Sequence, residues 1–403
     1  MMIRRLSAYA SMLLIVAGCA KPAPPPPPTP MATSDTSERS FDEAVVVATD
    51  GLLAQLLQQR PAPSTKPEAK RGVVIDPMVD ATSGQQTGAT RLFEQRVTER
   101  LQSNYSQFDV MPFQGANLSQ AQYLLTGTMT RVAGSQAGAP QVFQLNLALT
   151  DLKDGLVLAQ ASSRARDEGL DTTPTPYYRD SPIVVKDKVV DGYIATSQTP
   201  PGRPAESIYF ERVATATTVS EATAAYNSDS YQDALALYQT AAAKPGGEQL
   251  RVLNGIYLAS WKLGRATEAE DAFGKVVAFG LSNNNLGVKF LFNPGTTNFW
   301  FDPQVSGPYG FWLRQIARQA AVAKVCMNVV GHTSRTGSQA YNDRLSLQRA
   351  AYIKKRLDTE APELASRTKA SGMGFRENLV GTGTDDARDA LDRRVEFKIT
   401  ECG

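Results

Sequence analysis

Gly331-His332-Thr333-Ser334-Arg335-Thr336-Gly337, followed by Tyr341-Asn342-Asp343-Arg344-Leu345-Ser346-Leu347-Gln348-Arg349-Ala350, is the stretch on which the reading of this chain turns. Just ahead of it, Val325-Cys326-Met327-Asn328-Val329-Val330 is a short apolar run bounded by glycine, the pattern of a buried strand. Two glycines and a row of hydroxyl residues then make a loop, and a long polar-apolar segment from Tyr341 opens a helix. Working outward, Trp312, Ile316 and Ala320 fall on one face of a helix over Gly310–Ala323, and Val288-Lys289-Phe290-Leu291-Phe292 alternates like a strand. Downstream, Ala370–Gly374 and Leu391–Phe397 read as two more strands. Residues 287–403 are therefore expected to form one α/β unit.

The pattern G-H-T-x-x-T-G-x-x-x-Y-N-x-x-L-S-x-x-R-A, followed by Arg393-Arg394-Val395-Glu396-Phe397, resembles the OmpA-like peptidoglycan-binding domain over 287–403. That resemblance implies an α/β sandwich and recognition of the diaminopimelate in a peptidoglycan stem peptide. Arg349 matches the family's ligand arginine, whose planar fork takes a carboxylate through two parallel hydrogen bonds. Thr333 and Ser334 lie in the ligand loop, Asn342 matches a helix-start residue that fixes the loop, and Arg394 matches an arginine that buttresses the site. Ser334 departs from the family's pattern, which has an Asp there to pair with the ligand ammonium. A charge-assisted hydrogen bond is worth about 1.5–3 kcal/mol against about 1 for a neutral one, so the change predicts roughly tenfold weaker binding or a shifted preference among stem peptides. Asp392 also replaces an Asn, and Asp302, in Phe299-Trp300-Phe301-Asp302-Pro303, is a candidate for the missing acid. Cys326 and Cys402 flank the unit and leave two readings open, a disulfide or buried thiols.

At the other end of the chain, Arg4 and Arg5 precede a short apolar stretch, Leu6 to Val16, which ends in Val16-Ala17-Gly18-Cys19. The last four residues resemble a bacterial lipobox, so residues 1–19 are expected to be a lipoprotein signal peptide with acylated Cys19 as the first mature residue. Ala20 after the cysteine implies sorting to the outer membrane. Acyl chains contribute roughly 0.8 kcal/mol per buried methylene, so several of them anchor stably. Residues 20–40, with Pro22 and Pro24 to Pro28, read as a polyproline spacer reaching on the order of 60 Å when extended. An SH3-type ligand is the alternative for that segment.

Between the spacer and the C-terminal unit the periodicity changes twice. Residues 41–203 read as an α+β periplasmic domain with one mixed sheet: a helix over Phe41–Gln59, strands at Val73–Asp76, Phe108–Pro112 and Tyr123–Gly127, a helix over Ala89–Tyr105, and a hairpin turning at Asp154-Gly155. This layout is similar to the periplasmic domain of LpoB-like penicillin-binding-protein activators and to the N-terminal domain of TolB. Thr172 to Pro204 is expected to be irregular. In residues 215–281, Tyr231-x-x-Ala234-x-x-x-Tyr238-x-x-Ala241 recurs 35 residues later as Ala266-x-x-Ala269-x-x-x-Phe273-x-x-Val276. The repeat resembles two tetratricopeptide repeats, a short α-helical connector that must lean on a neighbour because two repeats do not stand alone. Trp261 is assigned to its core.

The expected architecture is thus multidomain. With 42 basic and 40 acidic side chains in 403 residues, the charge balance argues against nucleic acid as a partner. One His and three Cys make a conventional metal site improbable, no cofactor motif is present, and no nucleophile–base pair or carboxylate pair marks an enzyme. His332 stands in the loop without a Ser–His–Asp set around it. The expected partners are peptidoglycan, outer-membrane lipid through Cys19, and an unidentified envelope protein through residues 41–281. The competing roles are an accessory lipoprotein of a secretion or surface-export machine and a purely structural tether.

Overall fold

The computed structural model describes residues 33–58, 69–134, 141–293, 295–379, 383 and 392–402. The signal segment 1–19 with Cys19, and the proline run of the spacer, lie outside the described residues. Among the described residues, no helix is long and apolar enough to cross a membrane.

The first unit begins earlier than expected. Residues assigned to the end of the spacer form strand β1 (Thr33–Arg39), which runs parallel to β7 (Val157–Arg166) and is held there by the Gln55 amide, which donates to the Thr33 hydroxyl and the Gln160 carbonyl. Helix α1 (Phe41–Gln58), strands β2 (Arg71–Ile75) and β3 (Val79–Asp80), helix α2 (Gly88–Asn104), strand β4 (Phe108–Met111), a short α3 (Gly115–Leu118) and strands β5 (Ala121–Val132) and β6 (Val142–Asp151) complete it. The sheet order is β1-β7-β6-β5-β2-β4, with β3 pairing to β5. The pairs β1–β7, β5–β2 and β2–β4 are parallel and the remaining neighbours along that path antiparallel, so the sheet is mixed. Strand alternation sorts its two faces: Val73 and Ile75 pack with α1 and α2, whereas Val74 between them packs with Tyr193 and Tyr209. Helix α2 starts at a reciprocal cap in which Thr87 and Thr90 bond each other's backbone N–H. Gly155, with φ of 75°, makes the β6–β7 turn in a conformation that glycine adopts without strain.

The stretch 172–204 is not irregular. It holds α4 (Pro176–Asp180) and α5 (Lys188–Thr196), and α6 (Ser207–Phe210) follows. Its tyrosines give the reason: Tyr177 and Tyr193 are buried, and their hydroxyls donate to the Arg251 and Gly127 carbonyls, which ties the segment to partners distant in sequence. Asp187 caps α5 by accepting from the Val189 and Val190 amides.

Four antiparallel-paired helices follow, α7 (Val213–Asn227), α8 (Tyr231–Ala243), α9 (Leu250–Lys262) and α10 (Ala266–Ser282). Ala234 and Ala269 are fully buried, as are Tyr238 and Phe273 one turn later. Gly255 is required by that spacing, since a Cβ there would lie 2.4 Å from the Tyr238 ring.

The C-terminal unit is a four-stranded sheet, β10-β9-β11-β8, with helices packed on it. Its elements are β8 (Gly287–Val288), α11 (Pro303–Ser306), α12 (Tyr309–Val322), β9 (Cys326–His332), α13 (Gln339–Glu360), a 3-10 turn at Pro362–Leu364, β10 (Thr368–Gly374) and β11 (Val395–Thr400). The strand expected over Val288–Phe292 stops at Val288. Beyond it the amides of Lys289 and Leu291 donate to the Pro182 carbonyl and the Tyr309 hydroxyl, so no neighbouring strand receives them. Gly331 and Gly372 let β9 and β10 pass against α13, where an added Cβ would meet its backbone at 2.2 and 2.4 Å. Cys326 and Cys402 are joined by a disulfide that ties the chain end to β9.

These units share their interior. Ile183 bridges Val288, so the segment after α4 extends the C-terminal sheet at β8. The Trp312 indole donates to the Tyr257 hydroxyl at 2.9 Å, and Phe273 stacks on Trp312 at 5.6 Å. Aromatic contacts of this kind add about 0.5–1.5 kcal/mol each beyond area burial. Arg314 meets Glu270 through two parallel bonds of 2.9 and 2.8 Å. The helical hairpins lean on the C-terminal unit through a continuous apolar core.

Candidate functional site

The loop after β9 is held from both sides. Gly337, with φ of 93°, turns it, and Ser338 caps α13 by accepting from the Tyr341 amide. Asn342, 2% exposed, donates to the Thr336 and Ser338 carbonyls, which ties the loop to the helix start. Ser346, one turn along, accepts from the Gly374 amide, and the Thr333 amide donates to the Gly374 carbonyl, so β10 braces the loop from behind. Ser334 exchanges a hydrogen bond with Thr336 at 3.1 Å. Thr333 is 2% exposed, and its hydroxyl is buried without a hydrogen-bond partner among the described residues.

Arg349 is not a surface arginine; it is 5% exposed. Its Nε donates to the Thr296 carbonyl at 3.1 Å and its Nη2 to the Asn293 carbonyl at 3.3 Å, while the guanidinium lies 4.8 Å from the centre of the Phe292 ring. The stretch from Phe292 to Trp300 is thereby clasped onto α13, with Phe292 and Phe299 bridged.

These residues line one cavity of about 740 Å³. Thr333, Ser334, Asn342 and Arg349 form one wall. Part of the remaining lining comes from outside the C-terminal unit: Tyr257, Trp261 and Lys262 of α9, and Tyr178, Arg179 and Asp180 of α4. Trp261, assigned to the helical core, is half-buried, packs on Phe311 and also lines the cavity.

Two expectations need correction. Arg394 does not reach the cavity. It is 3% exposed and donates to Glu396 at 2.7 Å and to the Glu377 carbonyl at 3.0 Å, while its neighbour Arg393 lines the cavity instead. Adjacent residues entering a strand point to opposite sides, so only one of the pair can face the ligand, and that alternation was the available signal. Asp302 is not the missing acid either, because its carboxylate caps α11 by accepting from the Gln304 amide at 2.9 Å. The carboxylate that does line the cavity is Asp180, contributed by α4. Burial works against its charge, and Lys262 at 2.8 Å with the Tyr226 hydroxyl at 3.0 Å outweighs it, holding the carboxyl below its usual range. Asp392 is fully buried and fixes the loop by accepting from the Leu379 amide through one oxygen and from the Asn378 side chain through the other.

His332 lies outside the cavity lining, between Glu396 at 3.7 Å from Nε2 and Glu377 at 4.0 Å from Nδ1. Burial lowers its pKa, with the Glu396 contact opposing, and the ring stays neutral. The three groups could face one ion by distance, but the glutamates address different edges of the ring and Lys398 bridges both, so the arrangement is an ion network.

The matches to known proteins fall on the same part of the chain. A family model described as the OmpA family matches residues 302–391. Outer membrane protein A of Bordetella avium is 34% identical over 116 residues, 28% of this chain and 58% of that protein. The probable lipoprotein YiaD of Escherichia coli K12 is 35% identical over 77 residues, 19% of this chain and 34% of that protein. The matched stretches thus span less than two thirds of these curated relatives. Among solved structures, the peptidoglycan-associated lipoprotein from Burkholderia pseudomallei is 21% identical, with 28% of this chain and 89% of that one covered at a TM-score of 0.24. The cell wall anchor of the T6SS from Pseudomonas aeruginosa is 24% identical, with 29% and 80% covered at a TM-score of 0.24. With its strand, hydroxyl loop and arginine-bearing helix in this order, the segment 302–391 is an OmpA family domain.

Proposed function

We propose that this chain is an outer-membrane lipoprotein that holds peptidoglycan without a covalent bond and so links membrane to wall. The observation that carries the reading is the gathering of Arg349, Ser334, Thr333 and Asn342 into one cavity wall of an OmpA family domain. Arg349 supplies the cation for a stem-peptide carboxylate, and the buried Thr333 hydroxyl, without a partner among the described residues, supplies a donor or acceptor to the same head group. The C-terminal module binds and is not an enzyme. Acylation of Cys19 anchors the opposite end, a role in keeping with YiaD, itself described as a probable lipoprotein. The units spanning 41–281 are the surface for an envelope-protein partner, whose position they fix relative to the wall.

Sedimentation with isolated sacculi tests the wall contact. The full-length protein is expected in the pellet at physiological salt and is expected to be released by millimolar diaminopimelate. A protein that stays in the supernatant refutes the reading. Replacing Cys19 with Ser tests the other end, since the variant is expected to leave the membrane fraction.

A further inference from the structure

The Phe292–Trp300 stretch that Arg349 clasps is a short hairpin. The Asn293 amide donates to the Asn298 carbonyl at 2.9 Å, and the Trp300 amide to the Leu291 carbonyl at 2.9 Å. Arg349 bonds the Asn293 and Thr296 carbonyls at the turn of this hairpin, whereas Trp300 leaves from its base. Trp300 is half-buried and lines the same cavity as Arg349. The Phe301 ring lies 4.9 Å from the Trp300 ring, inclined by 33°, and Phe301 is 75% exposed. The two rings thus carry the cavity surface out to solvent. The turn that follows fixes their backbone: Asp302 caps α11, Pro303 opens it, and the exposed Gln304 also lines the cavity.

We propose that Trp300, Phe301 and Gln304 form a sugar subsite, which takes the N-acetylated hexose bearing the stem peptide while Arg349 holds the diaminopimelate. The inference rests on the peptidoglycan reading above. An isolated exposed phenylalanine needs no account, but this one packs on a ring of the cavity lining. Two ring faces at a place open to water ask for a partner that is apolar on its face and polar at its edge. A pyranose is such a partner: its axial C–H bonds meet the negative face of an aromatic ring, while its hydroxyls stay wet around the rim. The Gln304 amide, with two donors and one acceptor, matches an acetamido group or a pair of hydroxyls. The charges agree as well, since the hexose joined to the peptide through an amide is neutral, and so are all three side chains. Continuity decides for a sugar over the apolar side chain of another protein. The rings extend the cavity that holds the peptide, and in peptidoglycan that peptide begins on a hexose.

The experiment is calorimetry on the full-length, detergent-solubilised protein with two probes of equal charge. These are the N-acetylated stem tripeptide L-alanyl-γ-D-glutamyl-diaminopimelate and the same tripeptide joined to N-acetylmuramic acid. The muramyl tripeptide is expected to bind about tenfold more tightly, the gain of one or two ring contacts. Each variant, shown folded by its melting curve, is read as the ratio of the two affinities. Trp300→Ala is expected to bring that ratio to one, and Phe301→Ala and Gln304→Ala to lower it about threefold each. A ratio of one in the wild type, or a tenfold ratio that survives all three substitutions, overturns the sugar subsite alone. A wild-type ratio of one, with Phe301-dependent binding of the Cys19→Ser chain to phosphatidylethanolamine vesicles, overturns it in favour of a lipid surface. Failure of the N-acetylated tripeptide to bind at all overturns the peptidoglycan reading beneath it.

Discussion

Replacing Arg349 separates two jobs that its guanidinium performs at once. It clasps the Phe292–Trp300 stretch through the Thr296 and Asn293 carbonyls, and it presents its charge to the cavity. Hydrogen bonds to a charged group contribute about 1.5–3 kcal/mol each, and a ring contact such as that on Phe292 about 0.5–1 at a partly wet site. In Arg349→Ala the two carbonyls face a cavity that water can enter, which recovers part of the loss, so a net cost of about 2–3 kcal/mol to stability is expected. Arg349→Lys keeps a cation over Phe292 and a bond to one carbonyl. Its expected cost to stability is only about 1 kcal/mol, yet it has no fork for a carboxylate. Its affinity for the stem tripeptide should fall roughly tenfold to a hundredfold, the equivalent of one charge-assisted bond. The assay pairs thermal unfolding with calorimetry, so that affinity is compared at equal folded fraction. A Lys variant that binds as tightly as the wild type would refute the fork geometry. An Ala variant that stays folded and binds normally would reduce Arg349 to a strut for the loop.

The other predictions concern the scaffold. The Cys326–Cys402 disulfide closes a span of 76 residues, for which loop-closure entropy gives about 4.5 kcal/mol, so Cys402→Ser should lower the urea midpoint of the C-terminal domain steeply; equal midpoints with and without the bond would refute its contribution. Asp76 is buried, its pKa is raised by that burial to about 6 against the Tyr209 hydroxyl bond that opposes it, and the folded state therefore holds the proton more tightly than the unfolded one. Asp76 alone should take on the order of 1–2 kcal/mol from the stability of the first unit between pH 5 and pH 8, with buried Glu94, raised to about 7, adding to the decline; Asp76→Asn should lessen the fall by that amount, and a flat urea midpoint over that range in the wild type would contradict it.

What the sequence disclosed, and what it withheld, follows from the range of the interactions. The β9–loop–α13 segment was legible because its constraints are local: Gly331 for close passage under α13, Gly337 for a left-handed turn, Ser338 as a cap, Asn342 reaching back to Thr336. The paired helices over 213–282 were legible for the same reason, with Ala234 and Tyr238, and Ala269 and Phe273, spaced to be buried on one face. The 172–204 stretch was misread because its order comes from Tyr177 and Tyr193 bonding to groups 74 and 66 residues away. The end of β8 was misread because the amides beyond Val288 found partners at Pro182 and Tyr309, which no periodicity within the segment encodes. About a third of the cavity lining was invisible on the same grounds, since Trp261 and Asp180 meet Arg349's cavity only after the units dock.

That docking changes how Ser334 is to be understood. Taken alone, the hydroxyl at this position lacks the charge to pair with a ligand ammonium, and the domain by itself would bind about tenfold more weakly. In the whole chain the cavity does contain a carboxylate, but it belongs to Asp180 on α4, where Lys262 and the Tyr226 hydroxyl keep it ionised. Lys262 and Arg179 pair with that carboxylate, so it offers a ligand ammonium the acceptor end of an ion pair and not a lone charge, in a cavity whose lining of Tyr257, Trp261 and Trp312 screens it less than open water does. The electrostatics of the site are therefore a property of three units together, and the isolated C-terminal domain should bind its ligand less tightly than the intact protein does.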